Sequence, residues 1–163
     1  MEAAKPENEA GRLATLHDLE VLDTDPEQEF DDIVKLASHV CGVPMSLVSL
    51  IDADRQWFKA KVGTELAETT REVSFCAHAI LGRDLMVVPD VMEDRRFADN
   101  PLATGAPGVR FYAGAPLVTS DGFALGPLCV VDSEPRRLNL DQLQARRALS
   151  RQVTAQLELR RYA

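Results

Sequence analysis

The stretch MSLVSLIDADRQWFKAKV, residues 45–62, decides the fold of this chain. Met45 to Ile51 is almost wholly apolar, which predicts a strand buried on both faces. A polar turn, Asp52-Ala53-Asp54-Arg55, follows, and from residue 56 to 62 apolar and polar residues alternate. The alternation predicts a second strand with Phe58, Ala60 and Val62 on one face and Trp57, Lys59 and Lys61 on the other. The two strands together form a hairpin.

Helices are predicted on either side of this hairpin by their apolar spacing. They span residues 9–22, 26–41, 75–81 and the stretch from 140 onward. Asp25 is the expected N-cap of the second helix, with Pro26 in its first position and Gln28 completing a capping box, and Gly42 ends that helix. Ser74 is the expected N-cap of the third helix. Asn139, with Gln142, is that of the last.

Three more strands are predicted, at residues 85–88, 109–118 and 123–131. The Asp121-Gly122 pair joins the last two as a hairpin. Strands connected mainly by hairpins imply an antiparallel sheet covered by helices, which is an α+β architecture. Residues 9–163 form one domain after a flexible tail, 1–8, and the irregular stretch 89–108 is long enough to be functional.

Charge and apolar patterning exclude several classes of protein. Lys and Arg total 18 against 26 Asp and Glu, a net charge of −8. The arginines near the C-terminal end, including Arg146 and Arg147, are interpreted as a solvated helix face, so nucleic acid and anionic membranes are not expected partners. No apolar run reaches the roughly 20 residues of a membrane span, and the polar N-terminus lacks signal-peptide features. We therefore expect a cytoplasmic protein.

The three cysteines, Cys41, Cys76 and Cys129, are too widely spaced for a CxxC metal pair. Their odd number and spacing argue against a disulfide framework, so reduced thiols are expected. Neither His17 nor His39 has neighbouring metal ligands in the sequence. No metal site and no complete catalytic constellation is predicted.

Several segments together resemble the GAF domain, a small-molecule-sensing module of signalling proteins. They are VLDTDPEQEFD (21–31), SLVSLIDADRQWFKA (46–60), SFCAHAI (74–80), RFADNPLATGAPGVRFYAGAPL (96–117) and LGPLCVVD (125–132). The likeness is greatest to a bacterial subgroup found with sensor histidine kinases and diguanylate cyclases. Pro127 departs from that subgroup, which usually has threonine there, and it removes one backbone N–H from its strand.

The resemblance implies a six-stranded antiparallel sheet with the terminal helices on one face and a ligand pocket under short helices and loops on the other. It also implies a homodimer through the terminal helices and a signalling output domain as partner. The apolar stripes expected in that dimer are Leu13, Leu16 and Leu19 on the first helix and Leu149, Val153 and Leu157 on the last.

Three specialised GAF activities lack their marker residues here. Methionine sulfoxide reductases use a cysteine in a Gly-His-x-x-Cys-Asp context, where this chain has Arg110-Phe111-Tyr112-Ala113-Gly114. A covalent bilin is not expected, because residues 79–128 contain no cysteine. The Asn-Lys…Phe-x-x-x-Asp-Glu signature of cyclic-nucleotide binding is also missing. The cofactor, if any, stays unknown.

Six residues are the candidates for ligand binding. Phe75, Phe97 and Tyr112 offer apolar or stacking surface, Arg110 offers a positive charge, and Cys76 and His78 form the most reactive-looking pair. Strand alternation places Arg110 and Tyr112 on one face and Val109, Phe111 and Ala113 on the other. The structural alternatives are a loop anchor for Phe97, a salt-bridge partner for Arg110 and a small core residue for Cys76. Cys129, in an apolar strand, is interpreted as a core residue.

Three functions follow from these residues. The first is a non-catalytic sensory module that binds a small molecule. The second is a cysteine-dependent redox enzyme or redox sensor centred on Cys76. On a helix, however, residues two apart point in different directions, which discourages a Cys76–His78 nucleophile–base pair. The third is a structural dimerisation module whose pocket binds nothing.

Overall fold

The predicted hairpin lies at the centre of a single antiparallel sheet. The structure, a computed structural model, describes residues 1–162. Its six strands are β1 (Met45–Ile51), β2 (Arg55–Val62), β3 (Glu68–Thr70), β4 (Met86–Val88), β5 (Phe111–Val118) and β6 (Ala124–Asp132). They lie in the order β3-β2-β1-β6-β5-β4, and every neighbouring pair is antiparallel. The α+β class and the six-stranded sheet are therefore confirmed.

Two separate apolar cores cover the two faces of the sheet. The helices are α1 (Glu9–Asp18), α2 (Gln28–Cys41), α3 (Cys76–Ala79), α4 (Pro101–Thr104) and α5 (Leu140–Leu159), with 3-10 turns at Arg71–Val73, Val91–Glu93 and Arg160–Tyr162. Residues of α1, α2 and α5 join one core, and residues of α3 and α4 join the other. We call these the helix face and the pocket face.

A β-bulge in the central hairpin changes the predicted facing of β2. Val48 pairs with Ala60 but Ser49 pairs with Phe58, so Lys59 is an extra residue. Phe58 therefore belongs to the pocket-face core, whereas Trp57 and Ala60 belong to the helix-face core. The prediction that Phe58 and Ala60 share a face is wrong, because the bulge resets the alternation.

The bulged Lys59 is buried and reaches the start of α2. Its ammonium donates to the carbonyl of Asp25 at 2.6 Å and to Thr24 Oγ1 at 2.7 Å, and it lies 2.6 Å from a carboxylate oxygen of Glu27. The predicted Asp25–Gln28 capping box is wrong. Helix α2 begins at Gln28, three residues beyond Asp25, with no side-chain cap, and the Gln28 side-chain amide donates to Asp32 within the helix.

The other predicted helix boundaries hold to varying degrees. Helix α1 ends at Asp18, short of the predicted Leu22, because the chain turns through Glu20 at a φ of 52°. Gly42, in the left-handed conformation at φ 64°, ends α2 as predicted. The capping box of Asn139 and Gln142 is confirmed. Helix α3 is shorter than predicted, although Ser74 Oγ accepts from the Ala77 amide as an N-cap does.

The remaining differences concern loops and exposure. Strand β3 is not among the predicted strands, because Glu-Thr-Thr is short and polar and pairs only at the sheet edge with residues 55–57. Arg146 is completely buried, so its assignment to a solvated helix face is wrong. Among helices in residues 1–162, none has the length and apolar character needed to cross a bilayer. The flexibility of residues 1–8 stays a prediction, and Ala163 lies outside the described residues.

Candidate functional site

A narrow cavity opens on the pocket face between the sheet and the loops that cover it. Its volume is about 50 Å³. Fifteen residues line it, and most of them are apolar: Met45, Leu47, Gln56, Phe58, Thr64, Leu66, Thr69, Phe75, Cys76, Leu102, Pro107, Val109, Tyr112, Cys129 and Val131. Three of the six candidate residues, Phe75, Cys76 and Tyr112, are in this lining.

Two cysteine sulfurs and a tyrosine hydroxyl meet in the wall of the cavity. Cys76 Sγ, at the start of α3, lies 3.8 Å from Cys129 Sγ on β6. The hydroxyl of Tyr112 on β5 donates to Cys76 Sγ at 3.1 Å. Gly114 allows this placement, because a Cβ there would collide with the Tyr112 hydroxyl. All three side chains are buried, and all three border the cavity.

The environments of the two thiols differ. Burial opposes ionisation of Cys76, but hydrogen bonds with Cys129, Tyr112 and Ser49 outweigh it and lower the pKa of the Cys76 thiol. The hydrogen bond with Cys76, together with burial, raises the pKa of the Cys129 thiol well above its usual value. Of the two sulfurs, Cys76 Sγ is the one that accepts the hydrogen bond from the Tyr112 hydroxyl, which stabilises its thiolate.

Phe75, Phe97 and His78 form an aromatic cluster beside the cavity. The Phe75 and Phe97 rings stack with centroids 4.2 Å apart and an interplanar angle of 8°. His78 meets Phe97 edge-on at 4.7 Å, and the Arg96 guanidinium lies 4.9 Å from the centre of the Phe97 ring. The Phe97 ring packs against Phe75, His78 and Arg96, and Phe97 is not part of the cavity lining. These contacts favour its interpretation as an anchor of the loop over a role in ligand binding.

Cys76 and His78 do not act as a pair. His78 Nε2 lies 3.0 Å from the carbonyl oxygen of Met1, while Cys76 Sγ bonds Tyr112 and Cys129. Burial lowers the pKa of His78, which keeps the ring neutral at neutral pH. The expectation that a spacing of two residues separates these side chains is met.

Arg110 holds the covering loop and does not line the cavity. Its Nη1 donates to the carbonyls of Ala103, at 2.6 Å, and Val109, at 3.1 Å. Val109 lines the cavity instead, although alternation placed it on the other face. Strand β5 begins only at Phe111, so the alternating pattern does not extend to residues 109 and 110.

Sequence reasoning missed most of the aliphatic lining and the role of Cys129. Leu47 and Val131 were assigned only to buried strands, and Cys129 only to the core. The available signal was their position: once β1 and β6 are paired, Leu47 and Cys129 stand opposite each other. In residues 1–162, no group of three or more His, Cys, Asp or Glu side chains is arranged to hold a metal ion.

A six-stranded antiparallel sheet with helices on one face and a small apolar pocket on the other defines the class of fold, and comparison with known protein families identifies it. The sequence profile of the GAF domain matches residues 25–157. The chain therefore belongs to the GAF domain family, whose members are sensory, small-molecule-binding modules of signalling proteins. This confirms the resemblance seen in the sequence.

One curated relative and several solved structures are similar. A cyclic di-GMP phosphodiesterase of Pseudomonas aeruginosa is 45% identical over 131 residues, which is 80% of this chain and 22% of that protein. The GAF domain of an Acinetobacter phosphoenolpyruvate-protein phosphotransferase has a TM-score of 0.69 at 16% identity and covers 91% of this chain and 93% of that one.

The PixJ GAF domain of Thermosynechococcus elongatus has a TM-score of 0.65 at 16% identity and covers 92% of this chain and 90% of that one. A domain of a Sinorhizobium meliloti two-component sensor histidine kinase has a TM-score of 0.57 at 14% identity. The match covers 82% of this chain and 91% of that one. At such identities these structures show a shared fold only. The chain spans about a fifth of the length of the Pseudomonas relative.

Proposed function

We propose that this GAF domain is a non-catalytic sensory module that binds a small apolar molecule in the cavity on the pocket face. The observation that carries the proposal is the lining itself, in which aliphatic and aromatic side chains surround a few polar groups. Gln56 is the amide among them, and it is held by Ser74 Oγ at 2.8 Å and by Thr69 Oγ1 at 2.7 Å. An apolar ligand with one polar atom suits this arrangement.

The volume limits the size of the ligand. The cavity measures about 50 Å³, whereas pockets for drug-sized molecules reach roughly 300–1,000 Å³. A molecule larger than a few heavy atoms therefore needs the covering segments to move outward. Leu66 and Pro107 are exposed at the rim, so the loops that carry them are the elements that open.

A route from the cavity to α5 supports a signalling role. Cys129 lines the cavity, and the carbonyl of the preceding Leu128 accepts from Arg146 Nη2 on α5. At the far end of α5, Arg160 donates to the carbonyls of Leu19 and Glu20 at 2.9 and 3.0 Å. A displacement of β6 thus reaches α5 and the connection after α1. The proposed partner is an output domain of the signalling class, as in the phosphodiesterase relative.

Indole is a suitable probe, because it is flat, apolar and has a single N–H. Titration into ¹⁵N-labelled protein is expected to shift the amide signals of Leu47, Phe75 and Val131. Leu102→Trp fills the cavity mouth and is expected to remove these shifts. Met92→Trp is the matched control, since Met92 is exposed and outside the lining. Shifts that persist in Leu102→Trp, or no shifts in the unmodified protein, contradict the proposal.

The homodimer through the terminal helices is also part of the proposal. Val153 and Leu157 are already fully buried within one chain, so they are not available as the seam between two copies. The large exposed apolar residues of α5 are Leu140 and Leu159. Sedimentation at micromolar concentration is expected to report a dimer that Leu159→Glu weakens. A monomer throughout that range contradicts it.

A further inference from the structure

The two cavity cysteines are placed as a reactive pair, although they are 53 residues apart in the chain. Their sulfurs are 3.8 Å apart, and a disulfide requires about 2.0 Å. The sulfurs must therefore approach by about 1.8 Å. Cys76 begins a helix of only four residues that follows a 3-10 turn, so the partner of Cys129 lies on a short element that is able to shift.

We propose that Cys76 and Cys129 form a reversible disulfide when a hydroperoxide enters the cavity. Both sulfurs line the same cavity, which gives a small oxidant access to two otherwise buried thiols. The inference goes beyond ligand sensing and stands on its own, because it concerns covalent chemistry of the wall and needs no bound ligand.

The reaction balances with the hydroperoxide as the oxidant. The Cys76 thiolate attacks the terminal oxygen, the O–O bond breaks, and the leaving alkoxide takes up the proton that the Cys76 thiol lost. Cys76 is then a sulfenic acid, with an S–OH bond. The sulfur of Cys129 attacks Cys76 Sγ, the S–O bond breaks, and hydroxide leaves with the thiol proton of Cys129 as water. Two thiols are oxidised and one peroxide bond is reduced.

The surroundings assign separate roles to the two cysteines. Cys76 Sγ accepts a hydrogen bond from the Tyr112 hydroxyl at 3.1 Å, and this hydrogen bond stabilises a thiolate on Cys76. Cys129 Sγ lies 3.8 Å from Cys76 Sγ and acts as the resolving thiol. Its distance from Cys76 lets it react with the sulfenic acid before a second peroxide does.

Cys41 provides an internal control for the chemistry. It is buried in the helix-face core, on the opposite side of the sheet from the cavity. The reaction therefore predicts one specific pairing out of three. If oxidation instead unfolded the protein, all three thiols would be exposed and a mixture of disulfides would form.

Thiol counting and peptide mapping test the proposal on the unmodified chain. The protein is treated with hydrogen peroxide, denatured, alkylated with iodoacetamide and digested without reductant. We expect only Cys41 to be alkylated, a peptide that joins Cys76 to Cys129, and recovery of all three thiols after dithiothreitol. Cys41→Ser is expected to form the same bridge, while Cys76→Ala and Cys129→Ala form none within a chain.

Two outcomes overturn the inference. One is that all three cysteines remain alkylatable after peroxide treatment, and the other is a bridge that includes Cys41. Mapping of the unmodified chain decides between these results even where a variant fails to fold. Because indole binding is measured on the reduced protein, failure of the disulfide leaves the sensory proposal unaffected, and the reverse also holds.

Discussion

Arg146 on α5 donates through Nη2 to the carbonyl of Leu128 on β6, inside the protein. The side chain is completely buried, and its Nε and Nη1 have no hydrogen-bond partner among the described residues. No carboxylate is paired with this guanidinium in residues 1–162. A buried cation with unsatisfied donors costs stability, because its desolvation is only partly compensated.

Arg146→Met is therefore expected to leave the free energy of unfolding unchanged or to raise it by about 1 kcal/mol. Methionine keeps most of the packing volume and removes the unsatisfied donors. Urea unfolding measures the change, with Arg147→Met as the control at an exposed position. A loss of more than about 2 kcal/mol in Arg146→Met alone would mean that the single bond to Leu128 outweighs the desolvation.

Lys59 is a contrasting case, because this buried cation is fully partnered. Lys59→Met removes its contacts with Thr24, Asp25 and Glu27 and detaches the start of α2. We expect a loss of about 1–3 kcal/mol in urea unfolding. Lys35→Met, at an exposed position of α2, is expected to stay within about 0.5 kcal/mol. Equal effects of the two substitutions would contradict the assignment.

The ionisation of Glu9 makes the free energy of unfolding depend on pH. Burial raises its pKa, but the hydrogen bonds and charges of Arg12 and Arg71 lower the pKa of Glu9 from 4.5 to about 2. Since the pKa is depressed in the folded state, its contribution is present above about pH 4.5 and is lost as the pH falls towards 2. That contribution is about 3 kcal/mol.

Glu9→Gln is accordingly expected to be destabilising at pH 7, and the difference from the unmodified protein is expected to shrink at pH 3. Urea unfolding at both pH values measures it. Glu7→Gln changes an exposed carboxylate two residues away and is expected to show no such narrowing. A pH-independent difference for Glu9→Gln would rule out the ion pairs as its cause.

Gly126 marks a close approach between β6 and β1. A Cβ at this position would collide with the backbone carbonyl of Ser49, which no side-chain rotation relieves. Gly126→Ala is expected to cost at least about 2 kcal/mol, because the two strands must separate. Gly82→Ala is the control, since a Cβ there has no neighbour within 4 Å. Thermal unfolding compares the two, and a Gly126→Ala protein as stable as Gly82→Ala would refute the close approach.

Local sequence signals predicted those features that depend on a few neighbouring residues. The β1–β2 hairpin, the turn at Asp121-Gly122 and the capping box of Asn139 and Gln142 are of this kind. The bulge at Lys59 could not be read locally, because it places the ammonium against the start of α2, more than 30 residues earlier. Strand β3 likewise forms only because it pairs with the edge of β2.

The candidate site was predictable to the same limited degree. The six candidates were chosen on the chemistry of their side chains, and Phe75, Cys76 and Tyr112 do line the cavity. Phe97, His78 and Arg110 were chosen on chemical type, but their partners are other side chains and loop carbonyls. Cys76 and Cys129 are close because α3 packs against β6. A contact between elements so far apart in the chain cannot be predicted from a local sequence pattern.

The narrowness of the cavity has a kinetic consequence under the proposed function. Binding that waits for a loop to open cannot exceed the opening rate, however high the ligand concentration becomes. Release waits for the same event, so a captured molecule stays in the cavity at least until the loop next opens. A receptor of this kind averages over brief pulses of its ligand and responds to sustained exposure.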